Sequence, residues 1–161
     1  MSIVKGRVRK FGDNIDTDCI APAAYLHLSM EEISKHAFEP ISREYYKTVR
    51  EGDIIVAGNN FGCGSSREHA TQVIKTLGIK YIVSQSMARI YFRNCIATGL
   101  YPVICEDAGS IFNEGDQIEI DLDGGIVKNL ATGKTAVFRP IPDTLHPILD
   151  AGGILELLKK R

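Results

Sequence analysis

The chain begins with apolar and basic residues interleaved. Ile3, Val4 and Val8 stand against Lys5, Arg7 and Arg9, and this alternation up to Phe11 predicts a strand with one exposed face. Gly12-Asp13-Asn14 is a turn signal. Asp16-Thr17-Asp18 follows, with Asp13 and Asp16 read as turn residues, and then a loop-like stretch from Cys19 to Leu28 that carries Pro22. Ser29 and Glu32 have the spacing of an N-cap and the third helical residue, so a helix is expected over Glu31 to Ala37, closed before Pro40. A second, polar helix is expected over Arg43 to Val49. After the turn Glu51-Gly52-Asp53, the uninterrupted apolar run Ile54 to Ala57 predicts a strand buried on both faces. The next helix shows its apolar face at Ala70, Val73, Ile74 and Leu77 and ends at Gly78. A strand at Tyr81-Ile82-Val83, a helix from Met87 to Thr98 stopped by Gly99, and a strand at Val103-Ile104-Cys105 complete the βαβ rhythm of a parallel sheet.

The rhythm then changes. Ile118-Glu119-Ile120-Asp121-Leu122 alternates strictly, Asp123-Gly124-Gly125 is a hairpin turn, and Ile126-Val127 leads back, with a further short strand at Ala136-Val137-Phe138. Pro140 and Pro142 mark a bend, and short helices are expected over His146 to Asp150 and Ile154 to Lys159. The fold class is α/β: a small, mainly parallel sheet with flanking helices, plus an antiparallel β part. No repeat, low-complexity segment or linker divides it, so residues 1–161 read as a single domain.

Composition narrows the function. The chain has 161 residues, 44% hydrophobic and 24% charged, with a formal net charge of −1. That balance is globular, and it argues against a broad nucleic-acid or anionic-membrane surface. No apolar run reaches the ~20 residues of a membrane span, and the first residues lack the apolar core of a signal peptide. The four cysteines, Cys19, Cys63, Cys95 and Cys105, show no pairing at metal-site spacing. They read as reduced thiols of a cytoplasmic protein.

The chemistry is concentrated in Gly58 to Ala70, GNNFGCGSSREHA. It lies between a buried strand and a helix, where open α/β sheets place ligands. Ser65 is expected as N-cap, with Glu68 completing a capping box. The first-turn amides would then favour an anion, Ser66 adds a hydroxyl, and Arg67 a planar fork suited to a carboxylate. The segment is not a P-loop, because Gly64 rather than Lys precedes Ser65, and it lacks the G-x-S-x-G of a nucleophile elbow. The same residues would equally serve as a Gly-rich turn before a capped helix. Cys63 reads as a small thiol shaping the loop. His36, His69 and His146 lack partners at metal-ligand spacing and read as structural. Arg89 and Arg93, four apart on a helix, suit either one anion or structural salt bridges.

Three motifs, in order, carry a resemblance. GDNIDTDCIAPAAYL (Gly12 to Leu26), GCGSSREHA and SQSMARIYFRN (Ser84 to Asn94) are together similar to the small, swivelling domain of the aconitase superfamily. The similarity is greatest to its separate small subunits, those of 3-isopropylmalate dehydratase (isopropylmalate isomerase) and homoaconitase. The resemblance implies a hydro-lyase small subunit, inactive alone, whose large partner subunit carries a [4Fe-4S] cluster in a heterodimer or heterotetramer. It implies Ser65 as general base, Ser66 and Arg67 as holders of a substrate carboxylate, and Asp18 as an active-site aspartate. It also implies that Tyr25, Leu26, His27 and Leu28 meet the variable substituent of the substrate. An Arg at the position of His27 would suit a third carboxylate. Its absence, with Leu26 and Leu28 alongside, favours 2- and 3-isopropylmalate, in leucine biosynthesis, over homocitrate or other alkyl-malates such as citramalate and dimethylmalate. A non-catalytic carboxylate sensor is the rival of another class, distinguished by tight dicarboxylate binding to the isolated chain. Self-association of the isolated chain, through the surface meant for its partner, is a further expectation.

Overall fold

In a computed structural model, which describes residues 3–65 and 67–160, the elements run β1 (Ile3–Lys10), α1 (Thr17–Ile20), α2 (Met30–Ser34), β2 (Ile54–Ala57), α3 (His69–Thr76), β3 (Tyr81–Ser84), α4 (Arg89–Thr98), β4 (Tyr101–Ile104), α5 (Ala108–Ile111), β5 (Gln117–Asp121), β6 (Ile126–Asn129), β7 (Thr135–Val137), α6 (His146–Ala151) and α7 (Ile154–Lys159). The strands form one seven-stranded sheet in the order β4-β3-β2-β1-β5-β6-β7. β1 joins its two halves. It pairs in parallel with β2, Val8 opposite Ile54, and antiparallel with β5, Val4 opposite Ile120.

Two cores result from the period-two geometry of strands. Ile55 and Ala57 of β2 and Ile82 of β3 point to one face, where Ile33, Ala70, Val73 and Ile74 of the helices cover them. Ile54, Val56 and Val83 point to the other face. There they meet Ile118, Ile120, Val127 and Ala136, so the antiparallel half folds across the parallel half and closes a second core. The thiol of Cys105, just past β4, donates to the carbonyl of Val137 in β7 at 3.5 Å. The uninterrupted apolar run at 54–57 is thus buried on both faces, as its pattern predicts.

Several boundaries move for identifiable reasons. The polar helix expected over Arg43 to Val49 is only a 3-10 turn, Tyr45–Lys47, because Glu44 sits in the left-handed region at φ +55°. α2 keeps its Ser29 cap, whose Oγ accepts from the Glu32 amide. It ends at Ser34, since Phe38 turns left-handed and its amide donates to Cys19 across the fold. α4 starts at Arg89 rather than Met87, because Met87 forms a β-bridge with Phe61.

The start of β2 is pinned to β1 through buried charge. Arg7 Nη2 meets Asp53 Oδ2 at 2.6 Å and Arg9 Nη1 meets the same oxygen at 3.4 Å, while both guanidinium groups donate to the Thr48 carbonyl. Burial pushes the Asp53 carboxyl upward. The Arg7 hydrogen bond, the Arg50 amide and the charge of Arg7, with Arg9 behind them, outweigh that and hold it below its ordinary value. Its stabilising contribution is therefore complete above the unfolded-state value of about 3.9 and is lost as pH falls through the lower folded-state value. Asp53→Ala is expected to cost about 2 kcal/mol at neutral pH by removing the carboxylate that Arg7 and Arg9 share, Arg9 keeping Glu114 at 3.2 Å. In thermal melts the gap from the wild type narrows toward acid pH. An equal gap at neutral pH and at pH 3 would contradict this account.

Candidate active site

Three loops leave the carboxyl ends of β1, β2 and β3 and are laced side by side. The loop after β2 lies in the middle. On one flank Gly58 N donates to Gly12 O, Asn59 N to Asp13 Oδ1 at 2.7 Å, and Gly62 N to Ile15 O at 2.7 Å. On the other flank Phe61 N donates to Ser86 O, and Ala88 N to Phe61 O. The glycines in this loop are required by space. A Cβ on Gly58 would stand 2.0 Å from Asp13 Oδ1. Gly62 has φ +77°, and a Cβ there would lie 2.1 Å from Cγ of the buried Tyr91. Tyr91 in turn donates to the Ala70 carbonyl at 3.0 Å and meets Phe61 edge-on. The loop therefore rests on a rigid bed.

Ser65 stands exposed at the end of this loop. Its Oγ accepts from Arg67 Nε at 2.8 Å and lies 3.2 Å from Thr17 Oγ1. Its amide donates to Thr17 Oγ1 at 3.1 Å. Ser65 is not the N-cap expected from its spacing to Glu68. α3 begins at His69, and the cap position falls on Glu68, which offers no side-chain cap. The reason is competition: Thr17 and Arg67 claim both the amide and the hydroxyl of Ser65, and Gly64, at φ +105°, turns the chain away from a helical path. Among the described residues the capping box expected between Ser65 and Glu68 does not form. The positive charge beside Ser65 comes from Arg67 instead.

Arg67 is half-buried, with Nε spent on Ser65. Among the described residues nothing engages its two terminal nitrogens, which leaves a fork free for a carboxylate. Ser66 lies outside the described residues. Asp18 is exposed, and its Oδ1 accepts from Ala23 N at 2.9 Å, which ties down the start of the following 3-10 turn. It makes no hydrogen bond to Ser65 or Arg67. Asp16 caps α1 by accepting from Cys19 N.

The segment Tyr25 to Leu28 is held firmly. The Tyr25 ring stacks on His36 with centroids 3.6 Å apart, and its hydroxyl donates to Glu39 Oε1 at 3.0 Å. Leu26 and Leu28 pack against the helical core, while His27 is exposed. Both leucines keep part of their surface exposed beside His27. Arg89 and Arg93 are exposed and line, with Met87, Phe92 and Ile104, a hollow of about 310 Å³ beside the third loop. They form no salt bridge with a described residue. A groove of about 550 Å³ between β4 and β7 contains neither Ser65 nor Arg67. His69 opens α3 with Nδ1 buried and without a partner among the described residues.

The thiols do not form a metal site. Among the described residues no three His, Cys, Asp or Glu side chains converge as metal ligands. Burial, with Asp16 and Asp18 adding to it, pushes the Cys19 thiol up to about 11, and burial raises Cys95 and Cys105 as well. A cluster needs several cysteines converging on one point, and among the described residues none do, so these residues do not fit an iron–sulfur group.

Sequence reasoning missed Thr17. It sits between two aspartates whose charges draw attention, and no local pattern announces a contact across 48 positions of chain to Ser65.

A mixed sheet of this topology, with a Gly-rich loop presenting serine and arginine beyond the parallel strands, is the architecture of an aconitase-type domain. The family model of the aconitase C-terminal domain matches residues 9–108. The 3-isopropylmalate dehydratase small subunit 1 of Thermotoga maritima is 51% identical over 160 residues, covering 98% of this chain and 96% of that protein. The isopropylmalate/citramalate isomerase small subunit of Methanocaldococcus jannaschii is 45% identical over 161 residues, covering 99% and 96%. The crystal structure of a 3-isopropylmalate dehydratase from the same archaeon superposes with a TM-score of 0.92 at 44% identity, covering 99% of this chain and 95% of that one. The chain belongs to the aconitase family, among the small subunits of 3-isopropylmalate dehydratase. No helix among the described residues is long and apolar enough to cross a membrane.

Proposed function

We propose that this chain is the small subunit of a heteromeric hydro-lyase that interconverts 2-isopropylmalate and 3-isopropylmalate by dehydration and rehydration, in leucine biosynthesis. The single observation that carries the reading is the Ser65–Arg67 pair: an exposed hydroxyl hydrogen-bonded to a guanidinium whose outer fork meets no partner among the described residues. The fork takes a substrate carboxylate in two parallel hydrogen bonds, with the Ser66 hydroxyl as a second donor. Ser65 Oγ removes the proton from the carbon next to that carboxylate. Asp18 joins the site from the loop after β1. His27, with Leu26 and Leu28 behind it, meets the variable substituent, and its lack of permanent charge suits an alkyl group better than a third carboxylate. The cysteines here do not fit a [4Fe-4S] cluster, so the group that accepts the departing hydroxyl belongs to a large partner subunit. The proposal includes a cytoplasmic location, where four free thiols stay reduced.

An anaerobic assay of this chain with its large subunit, against isopropylmalate, homocitrate, citramalate and dimethylmalate, tests the reading. The highest kcat/KM is expected for 3-isopropylmalate. Citramalate is on the panel because a relative bears it in its name. Preference for homocitrate would overturn the assignment of His27.

A further inference from the structure

We propose that Thr17 is a positioning residue for Ser65, whose hydroxyl supplies the second hydrogen bond that lets Ser65 Oγ act as a base; the inference rests on the reading of Ser65 given above. Thr17 is 4% exposed and its backbone is fixed at both ends. Its amide donates to Cys63 O at 2.8 Å and its carbonyl accepts from Ala21 N at 2.9 Å. Its Oγ1 accepts from the Ser65 amide, a bond with only one direction because an amide can only donate. The hydroxyl hydrogen of Thr17 remains free, and Ser65 Oγ lies 3.2 Å away.

While Ser65 is neutral, either hydroxyl can donate to the other. Once Ser65 is ionised, only Thr17 can. The alkoxide then accepts from two donors, the anchored Thr17 Oγ1 and Arg67 Nε, and keeps one lone pair for the substrate. Donors that bond the charged form alone lower the pKa of the group they serve. Gly64 keeps the approach clear, since a Cβ there would stand 3.0 Å from Thr17 Oγ1. The proton balance is simple. Ser65 first releases its proton to water on its exposed side. It then takes the proton of the substrate C–H bond, whose electron pair remains on carbon and becomes the new double bond as the hydroxyl departs with its own pair.

The test compares Thr17→Val, which keeps the shape and removes the hydroxyl, with Thr17→Ser, which keeps the hydroxyl. In the complex with the large subunit, Thr17→Val is expected to lower kcat about 100-fold with little change in KM. It should also move the rising limb of the kcat–pH profile to higher pH, because the base becomes harder to ionise. Thr17→Ser should retain the wild-type profile, and this variant decides the matter if the valine protein does not fold: a shifted profile despite the hydroxyl would overturn the proposal. So would Thr17→Val with an unchanged rate and profile, or with a raised KM alone. A readout independent of turnover uses Ser65→Cys in the isolated full chain, with the Ser65 protein as background. Its alkylation by iodoacetamide should follow a thiol pKa that rises when Thr17→Val is added; an identical profile would overturn the inference. If the wild-type complex turns over none of the acids, the functional reading fails while the thiol readout still decides this one.

Discussion

Ser65→Ala in the assembled enzyme is expected to lower kcat by about 1,000-fold, within the 10²–10⁴ range that a positioned general base contributes. The KM for isopropylmalate should move only slightly, because the proposed function gives the carboxylate to Arg67 rather than to Ser65. The expectation rests on geometry. Ser65 is exposed, its Oγ accepts from Arg67 Nε and lies within hydrogen-bond reach of Thr17 Oγ1, and no other acid–base side chain among the described residues bonds to it. Stability should be nearly unchanged, since the serine is not the helix cap that its spacing to Glu68 implies. Steady-state kinetics under anaerobic conditions with thermal melts alongside provide the check. A near-normal kcat with intact folding would remove Ser65 from the role of base.

Gly62→Ala should produce the largest loss of stability in the site. Two costs add. A left-handed backbone at φ +77° is unfavourable for alanine, and the new methyl collides with the Tyr91 ring at 2.1 Å. Tyr91 has no room to give: it is buried and tied to the Ala70 carbonyl at 3.0 Å. Strain of this kind costs about 1–3 kcal/mol, and overpacking a filled core about 1–3 kcal/mol more. For a chain of this length the sum corresponds to a fall in Tm of about 5–20 °C. Gly12, whose Cβ would meet nothing within 4 Å, is the control, and Gly12→Ala should leave Tm within about 2 °C. Equal melting of the two variants would refute the claim that the loop rests on Tyr91.

Much of this was legible in the residues themselves. Ile54 to Ala57 advertises a strand buried on both faces, and Ile118 to Leu122 a half-buried one, because strand burial follows a period of one or two that no distant contact needs to set. The position of the loop was legible as well, because a buried strand that ends before Gly58 and an amphipathic helix with Ala70, Val73, Ile74 and Leu77 on one face bracket it. What escaped was decided by long-range hydrogen bonds. Ser65 has the spacing of an N-cap but gives its amide to Thr17, far away in sequence. The segment Arg43 to Val49 has helical composition, yet Thr48 turns its carbonyl to Arg7 and Arg9 and its hydroxyl to Arg9. The stack of Tyr25 on His36, closed by Glu39, is likewise invisible to periodicity. Leu26 and Leu28 are partly buried against the helical core, a packing role their position in the loop does not announce.

The most direct measurement is the anaerobic initial rate of 3-isopropylmalate dehydration by the purified large subunit as this chain is titrated into it. If the proton-abstracting group resides on this chain, turnover is absent without it and rises until the two subunits are equimolar. A large subunit that reaches full rate alone, or one whose rate the chain does not alter, would contradict the account.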